Sequence, residues 1–258
     1  MNRQELTRLI HDPMAVYYTP SVTLDVPANG SVSTDLQGYN SGLYGLNRIL
    51  IGGSNLSSIN VSAELNGEPG NPTILEPVQA NALQNLFAYR SLKGAIPIKN
   101  RTNLHLTLSN TSASTIKVNV QIVGYTEEHY KAIKSSYQAR GITFPEPYFV
   151  QGQLTLDPGA TGSKLAITLP AATLRLKRMA LGSDSDPNIM LKIRQDKHYI
   201  KPQVFLSQIN DEFRDMDIIL PYDLEPRKPF EIYFDNLDGA NPHTVSFIAE
   251  TYKVDGYE

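Results

Sequence analysis

The chain has 258 residues, 41% hydrophobic and 19% charged, and 23 Lys+Arg against 26 Asp+Glu give it a formal net charge of −3. That length suits one large domain or two of roughly 100 to 130 residues, each with a core of its own. The absence of Cys and Trp excludes disulfide scaffolds, thiolate–metal sites and cysteine nucleophiles, and the near-neutral charge excludes a global basic field for wrapping nucleic acid.

The N-terminal run MNRQELTRLIHDPM lacks the apolar core of a signal peptide, and no stretch approaches the roughly 18 apolar residues of a membrane span. A soluble chain made in the cytosol is expected. Gln4–His11 is predicted to form a short helical arm ahead of Asp12-Pro13. Period-two alternation rich in Val, Ile, Thr, Tyr and Phe then predicts strands at Val22–Val26, Val32–Leu36, Leu46–Ile51, Val61–Leu65, Thr73–Leu75, Ala95–Ile98, Leu104–Leu108 and Ile116–Tyr125. Between the fifth and sixth of these, Ala82, Leu83, Leu86, Phe87 and Arg90 are spaced as on a helix. A further helix is predicted over Glu127–Ala139, where Tyr130, Ile133 and Tyr137 share a face and Arg140-Gly141 gives a stop. Pro145-Glu146-Pro147 forces an extended path. A second set of strands follows at Leu154–Asp157, Leu165–Leu169, Leu174–Leu181, Ile189–Ile193, Gln203–Leu206, Ile218–Leu220, Phe230–Phe234 and Thr244–Val254, with a helix-like insert around Ile209, Phe213 and Met216. Turn chemistry punctuates both sets, as in Pro27-Ala28-Asn29-Gly30 and Asp157-Pro158-Gly159.

The two sets match each other. Thr23-Leu24-Asp25, with Pro27, Ala28, Gly30 and Ser31 after it, returns 132 residues later as Thr155-Leu156-Asp157 with Pro158, Ala160, Gly162 and Ser163. Leu46-x-Arg48-Ile49-x-Ile51-Gly52 returns as Leu176-x-Arg178-Met179-x-Leu181-Gly182, and Leu108-x-Asn110 as Phe234-x-Asn236. Matches in one order with a slowly drifting offset indicate two copies of one unit. The expected fold is all-β: two tandem antiparallel β-sandwich (jelly-roll) domains with short helical insertions. The jelly roll is preferred to an immunoglobulin-like sandwich by about eight strands per copy and by the missing core Trp. The divisions are an arm over 1–14, a first jelly roll over 15–126, a helical and proline-bearing linker over 127–150 and a second jelly roll over 151–258.

Chemistry-bearing motifs are sparse. His11, His105, His129, His198 and His243 are widely separated, no His-x-His pair occurs, and His105 alternates with Leu104 and Leu106 so that it faces away from the core. There is no nucleophile elbow, phosphate-cradling loop or dinucleotide fingerprint. No catalytic residue, cofactor, metal or small-molecule substrate is therefore assigned, and the chain is read as not an enzyme. Two acidic loops, Ser183–Asn188 and Asp235–Gly239, have oxygen ligands at alternating positions but lack the terminal glutamate of a calcium loop, and turn chemistry accounts for them. The second copy holds the only basic concentration. Arg175 with Lys177, and Lys192 with Arg194, each project from one strand face and form the candidate contact face, which could meet nucleic acid, an internal membrane or an acidic neighbour. Tyr17-Tyr18, Tyr39, Tyr44 and Tyr148-Phe149 are candidates for stacking on sugars.

The order of features, a short helical arm, a jelly roll, a helix-plus-proline linker and a second jelly roll of similar length, resembles the double jelly-roll major capsid proteins of icosahedral viruses, including membrane-containing bacteriophages. The resemblance is architectural, covers nearly the whole chain and carries no residue across. It implies a virion structural protein, made in the host cytoplasm, that forms homotrimeric capsomers and meets copies of itself and other virion proteins. The competing class is a glycan- or receptor-binding tandem sandwich, as in decoration, collar or spike-associated proteins.

Overall fold

The computed structural model describes residues 16–18, 21–37, 43–67, 72–88, 91–92, 94–98, 102–214 and 222–254. The predicted N-terminal arm, His11, Tyr39 and the expected strand Ile218–Leu220 lie outside these residues, as do the side chains of Tyr17, Tyr18, Phe213 and Met216.

The first half runs β1 (Val16–Tyr18), β2 (Val22–Val26), β3 (Ser31–Gln37), β4 (Gly45–Gly53), β5 (Ile59–Asn66), β6 (Thr73–Gln79), α1 (Ala80–Phe87), β7 (Ile96–Pro97), β8 (Asn103–Asn110) and β9 (Ile116–Tyr125). Helix α2 (Glu127–Gln138) leads to the second half: β10 (Pro147–Leu156), β11 (Ser163–Ile167), β12 (Leu174–Ser183), β13 (Ile189–Gln195), β14 (His198–Phe205), α3 (Leu206–Arg214), β15 (Tyr222–Leu224), β16 (Phe230–Asn236) and β17 (His243–Lys253). Four antiparallel sheets result. Sheet I has the order β1-β9-β4-β7, with β2 also on β9, and sheet II the order β3-β8-β5-β6; sheet III is β10-β17-β12-β15 and sheet IV β11-β16-β13-β14. Strand for strand, III repeats I and IV repeats II.

The repeated residues explain why both halves fold alike. Each Leu-x-Arg stands at a register shift, between Leu46 and Arg48 and between Leu176 and Arg178, so the extra residue turns the following arginine toward the opposite face. Asn110 and Asn236 are buried at the ends of β8 and β16. Asn110 Nδ2 donates to the carbonyls of Val26 and Ser114, and Asn236 Nδ2 to those of Asp157 and Asn241. Each amide thus ties two segments at one end of its sandwich and satisfies carbonyls at a strand end and in the adjoining turns.

Sheets I and II enclose one apolar cluster, including Ile49, Ile59, Leu75, Leu104, Leu106 and Val118. Sheets III and IV enclose another, with Leu174, Leu191, Phe230, Phe234 and Phe247. Helix α2 is capped by Thr126, whose Oγ1 accepts from the His129 backbone N–H, and Glu127 and Glu128 lie in its first turn where the helix dipole favours them. Tyr130 and Phe144, with Tyr44 and Tyr137 against them, dock this helix on the first half.

Several strands depart from the sequence expectation. The strand expected at Leu154–Asp157 starts at Pro147 and pairs along its length with β17. Its start is hard to read in sequence because two adjacent apolar residues take opposite sides, Val150 entering the second core and Phe149 the first, and because Gly152 leaves an inward position, against Leu165, without a side chain. The strand expected at Gln203–Leu206 spans His198–Phe205, and Leu206 opens α3.

Candidate assembly interface

The outer face of sheet III is where the halves meet. Along β17, Val245, Phe247 and Ala249 point into the second core, while Ser246, Ile248 and Glu250 lie on the opposite side. Ile248, Ala180 on β12 and Phe149 on β10 are continuous with the first core. The covering elements are β6 and α1. Gln79 N donates to Ser246 Oγ, and Asn81 and Asn85 on α1 donate to the carbonyls of Ser183 and Leu181 on β12. Asn210 of α3 brackets Leu181, receiving its N–H and donating to its carbonyl. These amides occupy the edge of β12 beyond the reach of β15, where open N–H and C=O groups would otherwise invite another strand.

Two arginines from the repeated motif converge on the C-terminus of α1. Arg48 Nε and Nη2 donate to the carbonyls of Phe87 (2.9 Å) and Ala88 (2.8 Å), and Arg178 reaches those of Leu86 and Ser91. Carbonyls at a helix C-terminus have no intrahelical partner and carry the negative end of the dipole. Arg178 also donates from Nε to Glu250 Oε2 (2.6 Å), the other carboxylate oxygen accepts from the Tyr252 hydroxyl, and both charged side chains are almost wholly buried. Adjacent in sequence to the basic Arg175 and Lys177, Arg178 is turned by the bulge into this buried interface instead.

Contact with α1 is closest at Gly182. A Cβ there would lie 2.2 Å from Asn81 Oδ1 and 2.7 Å from Ala82 N, so glycine is required for α1 to seat. Its counterpart in the repeat, Gly52, has nothing within 4 Å of a built Cβ among the described residues. It lies instead in a groove of about 680 Å³ on the outer face of sheet I, floored by Arg48, Leu50, Asn119 and Gln121, walled by α1 and with Asn210 at the rim. Among the described residues, the same sheet face is thus covered in the second half and open in the first.

The proposed basic residues do not form one surface. Arg175 and Lys177 are on sheet III, where Arg175 makes a two-pronged pair with Asp223 of β15. Lys192 and Arg194 are on sheet IV, against Tyr233, with their cationic groups 5.3 and 4.7 Å from its ring centroid. Arg194 and Lys164 both hold Glu231. Burial raises the Glu231 carboxyl, but hydrogen bonds from Tyr233, Arg194 and Lys164 outweigh it and bring the group down to about 2. The aromatic between the cations was invisible along the sequence because it comes from the neighbouring strand.

The two acidic loops meet at His243, whose Nδ1 is 3.0 Å from Asp184 and Nε2 3.1 Å from Asp238. Asp238 also accepts from the Asn241 side chain and from the Ala240 and Asn241 N–H groups, which hold it well below the usual carboxylate range. Among the described residues no group of three or more His, Asp or Glu is placed to hold a metal ion. Of the sugar-stacking candidates, Tyr44 packs on Tyr130, Phe149 is buried and Tyr148 is exposed.

No protein-family model matches the sequence, and no curated protein matches it. Solved structures do. The chain superposes on a chain of Sulfolobus Turreted Icosahedral Virus with a TM-score of 0.50 and 11% identity, covering 94% of this chain and 92% of that one. The fold is a double jelly roll. The STIV MCP (TM-score 0.49, 10% identity, 93% and 97% covered) and the major capsid protein P2 from bacteriophage PM2 (0.45, 12%, 92% and 100%) are similar as well. At these identities the likeness is one of fold.

Proposed function

We propose that this double jelly roll is a capsid protein, residing in the virion, whose chains close head to tail into a ring of three. The observation that carries this reading is the unequal use of equivalent surfaces: among the described residues, α1 occupies the outer face of sheet III over Gly182, whereas the groove over Gly52 on sheet I is open. Helix α3 and β14 occupy the places in the second half that α1 and β6 occupy in the first. Helix α3 of a second copy, docked on sheet I as α1 docks on sheet III, repeats within the assembly a contact the chain already makes with itself. In that register Ser207 and Gln208 stand over Gly52. Such a heterologous interface closes when the rotation it imposes returns on itself, and three chains of two units give six similar lobes. The fold-level likeness to an icosahedral virus chain supports the same role, and the repeated residues support an ancestral duplication, with units over 15–126 and 151–258.

The test is light scattering on the purified chain with negative-stain imaging. Particles of three chains with six lobes are expected, and Gly52→Leu is expected to remain folded by circular dichroism but to run as single chains. A wild-type monomer, or Gly52→Leu trimers indistinguishable from wild type, overturns the reading.

A further inference from the structure

A ring closed through sheets I and III leaves the outer faces of sheets II and IV as the broad surfaces that point away from it. They are equivalent in topology and opposite in chemistry. On sheet II, Ser33, Thr107 and Ser62 form one cross-strand row and Asp35, His105 and Glu64 the next. None of its four strands contains Lys or Arg. On sheet IV the corresponding rows are Lys164, Tyr233 and Lys192, then Ala166, Glu231, Arg194 and Tyr199. Glu231 is neutralised by Arg194 and Lys164, which leaves the face cationic around Lys192. It also bears two of the four exposed large apolar side chains among the described residues, Tyr199 at 58% and Phe205 at 38%. Arginine and tyrosine mark the energetic centres of protein interfaces, whereas Ser, Thr and Asn mark ordinary wet surface.

Two sheet IV faces repel each other, and two sheet II faces bring carboxylates together with no Lys or Arg between them and only the His105 imidazole, 2.6 Å from Asp35, beside them. Only the mixed pairing is complementary. We infer that sheet IV of one copy docks against sheet II of a copy in a neighbouring ring, with Lys192 and its flanking cations against Asp35 and Glu64 and with Tyr199 and Tyr233 at the centre of the contact. This rests on the ring reading above and specifies which surfaces join one ring to the next.

The experiment is sedimentation of the full-length chain at rising concentration in low and high salt, for wild type, Lys192→Glu, Glu64→Lys and an equimolar mixture of the two variants. Wild-type rings should attract one another at low salt and lose the attraction at high salt. Either reversal should weaken ring–ring association about tenfold or more while leaving the ring's mass unchanged, since like charges then face each other. The mixture should restore it. Reversals without effect, or a mixture that stays dispersed, overturn the inference. So does capture of a single-stranded oligonucleotide that Lys192→Glu abolishes, if rings show no mutual attraction. A monomeric wild type would sink the ring, but restored attraction in the mixture would still uphold this contact.

Discussion

Replacing Gly182 and Gly52 by alanine separates a glycine whose role is filled within one chain from one whose role needs a second. At Gly182 the new methyl meets Asn81 Oδ1 at 2.2 Å, Ala82 N at 2.7 Å and Ala82 Cβ at 2.9 Å. Two of these atoms belong to the helix itself, so α1 must back away and the Asn81 bond to the Ser183 carbonyl is stretched. Overpacking of this kind costs about 1–3 kcal/mol, and loss of this part-buried hydrogen bond adds about 1 kcal/mol, a total of about 2–4 kcal/mol. At Gly52 the methyl meets nothing described within 4 Å, and reduced freedom of the unfolded strand stabilises by about 0.4–1 kcal/mol. Urea unfolding at dilutions where light scattering shows single chains should therefore move the two midpoints in opposite directions. Equal destabilisation, or a loss at Gly52 above about 1 kcal/mol, would refute the claim that these faces are used differently.

Other substitutions probe the remaining particulars. Arg178→Ala should cost about 3–5 kcal/mol in urea melts, because it strands the buried Glu250 carboxylate; adding Glu250→Gln should recover part of the loss. Burial and the neighbouring Asp184 carboxylate push Asp186 up to about 6 from an ordinary 3.8. The folded chain therefore holds this proton more tightly than the unfolded one, and the group costs stability progressively as pH rises from about 4 to 6. Asp186→Asn should raise stability at pH 7.5 by about 1–3 kcal/mol and leave it nearly unchanged at pH 3.5; an equal effect at both would sink this account. Tyr130 has a buried hydroxyl with no hydrogen-bond partner among the described residues, so Tyr130→Phe should be neutral or stabilising by up to about 1 kcal/mol in thermal unfolding.

The sequence by itself determined the class of fold and its repetition. Strands with one wet and one dry face, such as β5, β8 and β13, announce themselves by alternation, and turn-tying residues such as Asn110 and Asn236 return because the same carbonyls need the same amide. What only the tertiary structure decided lies across strands and between halves. Sheet III loses its alternation because a second body covers its outer face. Arg178 is drawn from an apparent basic patch into a buried pair, and Tyr233 stands between Lys192 and Arg194. The basic quartet divides between two sheets because alternation along a strand specifies which side of its own sheet a residue takes, not which sheet its strand joins. Gly52 and Gly182 look alike in sequence, and only the placement of α1 makes one a tight contact and the other an open groove.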